Sequence, residues 1–218
     1  MVATLSEGVR LVRGRPARAS VLAAGAIAGL ASEGFDRLGA LHLIAGVGLP
    51  ALGRLDAVVW FGVIDIGGLN LGIGAAEVLR HRVDLGRSRA VARALLALHA
   101  ALVVAMVAFG LAKTFAVAVV AFLAAGLLRG LADPLTTVWT SGHAAPGVRA
   151  TVLSLGNQLN ALGQIAGGPA VDRIGNTSVR GALVLSGLLI VPTLPLPLLA
   201  YTARRAATLD AASARTAT

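Results

Sequence analysis

"FAVAVVAFLAAGLLRGLADPLTTV", residues 115–138, is a run of 24 residues in which only Arg129 and Asp133 carry charge. A helix needs about 20 mostly apolar residues to cross a bilayer, so this stretch can span one. Working outward from it, five further stretches read the same way, at 20–44, 57–79, 91–111, 151–170 and 182–201. The joints between them hold the glycine, proline and charge clusters of loops, such as "RHRVDLGRSR" and "SGHAAPGVR". The whole chain follows suit, being 56% hydrophobic and 13% charged with a mean hydropathy of +0.82, where soluble domains average about 25% charged. The fold class expected is an all-α membrane protein, a bundle of six transmembrane helices over 20–201. A basic segment, 1–19, precedes it, and a small, polar tail, 202–218, reads as disordered.

A formal charge of +9 raises the possibility of nucleic acid, but its placement points elsewhere. With residue 1 in the cytoplasm, the cytoplasmic segments hold Arg10, Arg13, Arg15, Arg18, Arg80, Arg82, Arg87, Arg89, Arg93, Arg149, Arg204, Arg205 and Arg215, while the opposite side holds Arg54, Lys113, Arg173 and Arg180. Thirteen against four is the positive-inside pattern, with both termini cytoplasmic and the lipid bilayer, not nucleic acid, as the partner. The first twenty residues are arginine-rich and lack the apolar core of a cleavable leader. With zero cysteines, disulfides and thiol catalysis drop out. The four histidines are scattered without ligand spacing, and no Ser/His/Asp set, P-loop or dinucleotide fingerprint is present. The expectation is a protein without cofactor, metal or enzymatic activity.

Ionisable residues inside spans are costly in lipid and usually face a cavity or a partner. In the first span "SEGFDRL" puts Glu33, Asp36 and Arg37 at i, i+3 and i+4 on one face, so Arg37 can offset one carboxylate. Two readings stand, a self-neutralising group near the headgroups and a proton- or cation-responsive site. In the fourth span Arg129 and Asp133 lie one turn apart and can pair, while Pro134 removes a backbone hydrogen bond. A helix that rocks and a static pair that locks packing both fit. In the fifth, Asn157, Asn160 and Gln164 fall on one stripe, with Ser154 and Gln158 on its flank. Those amides either line an aqueous path or bond neighbouring helices. Gly156, Gly163 and Gly167 form a separate small face, the last two in GxxxG spacing. Asp65, sharing a face with Gly68 and Gly72, and Glu77, with Arg80 and His81 at i+3 and i+4, are weaker signals.

The loop "LRHRVDLGRSRAVAR" resembles the cytoplasmic signature of the major facilitator superfamily, an aspartate, a glycine and closely spaced basic residues, here Asp84, Gly86, Arg87 and Arg89. "ASEGFDRLGALHLI", "LLRGLADPL" and "RATVLSLGNQLNALGQIAGGPAVDRIG" look like the seventh, tenth and eleventh helices of bacterial drug-efflux-like permeases of that superfamily, and "LSEGVRLVRGRPARA" resembles their basic central loop. The resemblance implies one half of a twelve-helix transporter in the bacterial cytoplasmic (inner) membrane. It implies proton-coupled efflux of a small, amphiphilic solute along a path of Ser154, Asn157, Gln158, Asn160 and Gln164. Glu33, Asp36, Arg37, Arg129, Asp133 and Pro134 would couple or gate, and Asp84, Gly86, Arg87 and Arg89 would form the cytoplasmic hinge. Such transporters bind solute between two six-helix halves. A second half, a second copy of this chain, or a truncated or structural product that transports nothing are therefore the open alternatives.

Overall fold

In lipid every backbone amide must find its partner within the chain, and a helix does this locally. The computed structural model describes residues 16–50, 57–144 and 146–216, and among them the regular structure is all helical, without a strand. Arg10, Arg13, Arg15 and Arg54 lie outside the described residues, as does most of "LSEGVRLVRGRPARA".

Helix α1 (Pro16–Leu41) runs on into a π-helical turn, His42–Val47. It stops at Gly48, whose φ of 83° is a conformation that side chains resist. Then come α2 (Ala57–Arg82), α3 (Ser88–Leu111) and α4 (Phe115–His143). A 3-10 turn, Pro146–Val148, leads into α5 (Arg149–Gly175). Helix α6 (Val179–Leu188) is capped by Ser178, whose hydroxyl accepts from the Gly181 N–H at 3.0 Å. A second 3-10 turn, Val191–Thr193, leads to α7 (Leu196–Thr216).

Among the described residues four helical stretches are long and apolar enough to cross a membrane: Ala57–Arg82, Ser88–Leu111, Phe115–Gly142 and Val179–Ala203. They mark the chain as a membrane protein. Outside that set are α1 and α5, the helices that carry Glu33, Asp36 and Arg37 and the amide stripe. The stretch 182–201 is not one continuous helix. Pro192, Pro195 and Pro197 supply no backbone N–H, so the ladder breaks between Leu188 and Leu196. Helix α7 continues through the polar tail to Thr216. Its alanines, arginines and leucine are strong helix formers.

The core is built around aromatic rings. Phe35 of α1 stacks on Phe122 of α4 with centroids 5.1 Å apart, and Phe109 of α3 lies 5.4 Å from each of them. Small residues let the backbones close around this cluster: Ala31, Ala118, Ala121 and Ala125 are buried there. A second apolar group, Val91, Leu95, Leu135, Trp139 and Ala200, joins α3, α4 and α7. Helices α1 and α5 approach most closely. A methyl group on Gly163 would overlap the Ala26 carbonyl, one on Gly29 would overlap the Asn160 carbonyl, and one on Gly167 would stand 3.1 Å from the Leu30 oxygen. The GxxxG pair thus faces α1, whereas the Gly156 Cβ direction is open. Helix α2 is the contrary case. Ile64 is its one residue buried among the described residues, and Val58, Ile66, Leu69 and Ile73 stand bare.

Candidate functional site

Between α1, α3, α4, α5 and the break joining α6 to α7 lies a cavity of about 530 Å3. That volume is in the range that small-molecule sites occupy. Helical periodicity supplies the walls. Helix α4 presents Arg129, Ala132, Asp133, Thr136, Thr137 and Thr140, helix α3 presents Leu95, His99, Leu102 and Met106, and α5 presents Gly156, Asn157, Asn160 and Gln164. Helix α1 contributes Ala24, Gly25, Ala28 and Ser32, whose small side chains leave the space open.

Three of the five path candidates, Asn157, Asn160 and Gln164, line this cavity. Asn160 sits at the seam between two helices, its Nδ2 donating to the Gly25 carbonyl at 3.3 Å and its Oδ1 accepting from Gln164 Nε2 at 2.9 Å. It both packs and lines. Ser154 and Gln158 are exposed and take no part in the cavity wall. Their flank turns away because the glycine face of α5 is held against α1, which fixes the rotation of the helix.

The charged residues pair differently from the sequence expectation. Arg129 does not pair with Asp133. Its Nη1 donates to Asp36 Oδ1 at 2.6 Å and its Nη2 to Asp36 Oδ2 at 3.0 Å, joining α4 to α1. Its guanidinium carbon lies 5.5 Å from the centroid of the Phe35 ring. A two-pronged contact to a facing carboxylate, supported by an aromatic face, outcompetes the single contact that a short Asp side chain offers one turn along. Arg37 bonds Glu33 within α1 and reaches Asp172 of α5 at 3.5 Å. The adjacent residues Asp36 and Arg37 therefore clasp α1 to two different helices. The Asp133 carboxylate, on the cavity wall, has no ion pair or hydrogen bond among the described residues.

Pro134 lies inside α4 without a helical N–H to give the Gly130 carbonyl. Around it two hydroxyls also bond backbone carbonyls of the helix, Thr136 Oγ1 donating to that of Ala132 at 2.8 Å and Thr137 Oγ1 to that of Asp133 at 3.1 Å. At the α2–α3 turn, Asp84 accepts from the Gly86 N–H at 3.0 Å and from Arg87 Nε at 3.1 Å. Arg89, exposed at the start of α3, makes no ion pair among the described residues. Glu77 bonds Arg80 and His81 as their spacing indicates.

Sequence reasoning missed His99, the α4 threonines and Thr193 as wall residues, and Asp172 as the partner of Arg37. The α3 pattern Leu95, His99, Leu102, Met106 does carry a 3.6-residue period, but α3 is apolar on every side and nothing in it marks the inner face. His42 is buried, with Nε2 3.0 Å from the Phe109 carbonyl, and belongs to packing. Among the described residues no cluster of three or more His, Cys, Asp or Glu side chains could hold a metal ion.

No family model, curated protein or solved structure matches the chain. The cavity and its charges are thus the ground on which a function is argued.

Proposed function

We propose that this chain is one half of a membrane transporter of the major facilitator type, moving a small amphiphilic molecule in exchange for protons. The observation that carries this reading is the cavity, a space of about 530 Å3 inside an otherwise apolar bundle. Uncharged amides line it beside a carboxylate without an ion pair among the described residues. Polar groups kept at that depth are costly unless they serve a solute or an ion. In this reading Asn157, Asn160 and Gln164 line the path, Asp133 exchanges protons, and the Asp36–Arg129 and Arg37–Asp172 contacts gate. The chain sits in a bacterial cytoplasmic membrane with both ends inside.

Helix α2 supports the need for a partner. Asp65 and Asn70 are exposed on a helix whose only buried residue is Ile64 among the described residues, and a carboxylate facing hydrocarbon is unfavourable. A second six-helix half or a second copy would cover that side. The same bare helix favours a second reading, a membrane subunit or fragment that transports nothing and serves by packing against another protein.

Flux separates the two. The chain, alone and as a covalent tandem of two copies, is placed in lipid vesicles holding a pH-sensitive dye, and a panel of small amphiphiles is added. Solute-dependent proton movement by the tandem is expected. Silence from both, with the protein correctly inserted, sinks the self-paired transporter. Asp133→Asn and Glu33→Gln forms with unchanged proton-driven flux would remove the coupling assignment.

A further inference from the structure

We infer that Arg129 is an exchangeable counter-ion, shared between Asp36 and Asp133, and that the cavity takes a cationic, hydrogen-bond-donating solute whose ammonium group occupies Asp133 while Arg129 stays on Asp36. The inference names the solute class for the transport reading and rests on that reading for why a solute enters.

The chemistry comes from where the donors already point. Ser32, Thr136, Thr137 and Thr193 each donate a hydroxyl proton to a carbonyl of their own segment, at 2.9, 2.8, 3.1 and 2.7 Å. A hydroxyl has one proton and two lone pairs, so these four give the wall acceptors. His99 adds another. Its Nδ1 lies 2.8 Å from the Leu95 carbonyl, which only accepts, so Nδ1 carries a proton and, in the neutral tautomer, Nε2 is the acceptor. The strongest donor on the wall, the Arg129 guanidinium, is held by both oxygens of Asp36. Asp133 has no counter-ion among the described residues. The result is an acceptor-rich space with one carboxylate to neutralise. A neutral solute would leave the Asp133 charge without a counter-charge and an anionic one would be repelled by it, which is penalised away from water. An ammonium brings a positive charge and up to three donors.

The exchange follows from spacing. Asp133 lies one helical turn beyond Arg129 on the same face, and Asp36 faces Arg129 across the helix pair. One guanidinium thus has two carboxylates within reach. On Asp36 it ties α4 to α1 and leaves Asp133 to the solute. Turned to Asp133 it fills the solute's place and unties the helices. A cation on Asp133 therefore favours the clasped arrangement, because a ligand shifts a two-state equilibrium toward the state that binds it better.

The test measures binding of phenethylamine and of 2-phenylethanol, which match in size and differ in charge, to the full chain in lipid nanodiscs. The amine is expected to bind about tenfold tighter or better, a preference lost in Asp133→Asn. Equal binding of the two probes overturns the cation site. Asp36→Asn decides the exchange. Although Asp36 is not a cavity-wall residue, its loss frees Arg129 to occupy Asp133, so amine affinity falls about tenfold, and Asp36→Asn/Arg129→Gln restores it. Unchanged affinity in Asp36→Asn, or no recovery in the double variant, overturns the counter-ion role. Should Asp36→Asn not fold, Arg129→Gln alone decides: amine binding as tight as in the parent chain supports competition, and a tenfold loss refutes it. Binding is read without flux. A chain that binds the amine in this pattern but moves nothing refutes the transport reading alone, and one that transports a neutral solute without amine preference refutes the present inference alone.

Discussion

Helices α2 and α5 make an instructive pair. Helix α2 is the apolar one, with Val58 80% and Leu69 67% exposed and one buried residue among those described. Helix α5 is the polar one, with its amide stripe, yet it buries Val152, Leu155, Gly163, Gly167, Gly168 and Val171. In water the ranking would be reversed. In lipid, apolar side chains gain little by leaving the solvent for one another. Close packing of small residues and hydrogen bonds between helices hold the bundle instead. Helix α5 has glycines that admit the α1 backbone, an amide that bonds it and a carboxylate for Arg37. Helix α2 offers mainly Trp60 against Phe115, with centroids 5.0 Å apart, and Gly68 near Leu123.

The sharpest way to break the comparison is to put bulk into each helix. Gly163→Leu drives a side chain into the Ala26 carbonyl and is expected to cost about 3 kcal/mol or more, since a backbone cannot yield as a side chain does. The matching change in α2, Gly72→Leu, meets nothing within 4 Å and should stay within about 0.5 kcal/mol. Denaturant titration of both in the same detergent checks the pair, and equal losses would refute the contrast. Next is Arg37→Gln, which removes the α1–α5 ion pair and its partner within α1. Arg37 and Asp172 are about half exposed, so a loss of only about 0.5–1 kcal/mol is expected by the same titration. Asn160→Ala deletes one bond between helices and should cost about 0.6 kcal/mol, the size typical of such bonds in a bundle. The smallest effect belongs to α2's surface. A spin label at Leu69→Cys, clean because no native cysteine competes, should leave stability unchanged and show strong relaxation by oxygen, which concentrates in lipid. Strong relaxation by a water-soluble nickel complex instead would show that this face is not in hydrocarbon.

Much of the helical layout was legible from residues alone, because an apolar run with few charges has one way of satisfying its backbone in lipid. Three of the five residues expected on the path do share the cavity, since 3.6-residue periodicity is a property of the chain itself. Ser154 and Gln158 fell away because a stripe has two edges, and which edge faces inward depends on how the neighbouring helix seats. The three prolines after Leu188 could have announced the broken sixth segment; the apolar count over 182–201 hid them.

What the sequence determined by itself was the solvent and the periodic faces: a lipid-compatible, helical chain, a glycine side and an amide side on α5, and charges placed where burial is costly. What only the tertiary structure decided was partnership. Arg129 has Asp133 four residues away and Asp36 ninety-three residues away, and it is the distant carboxylate that it holds. Local spacing offers one contact within a helix, whereas two packed helices present a carboxylate squarely to both arms of the guanidinium with a ring beside it. That choice leaves Asp133 facing the cavity without an ion pair among the described residues, and no count along the chain could have supplied it.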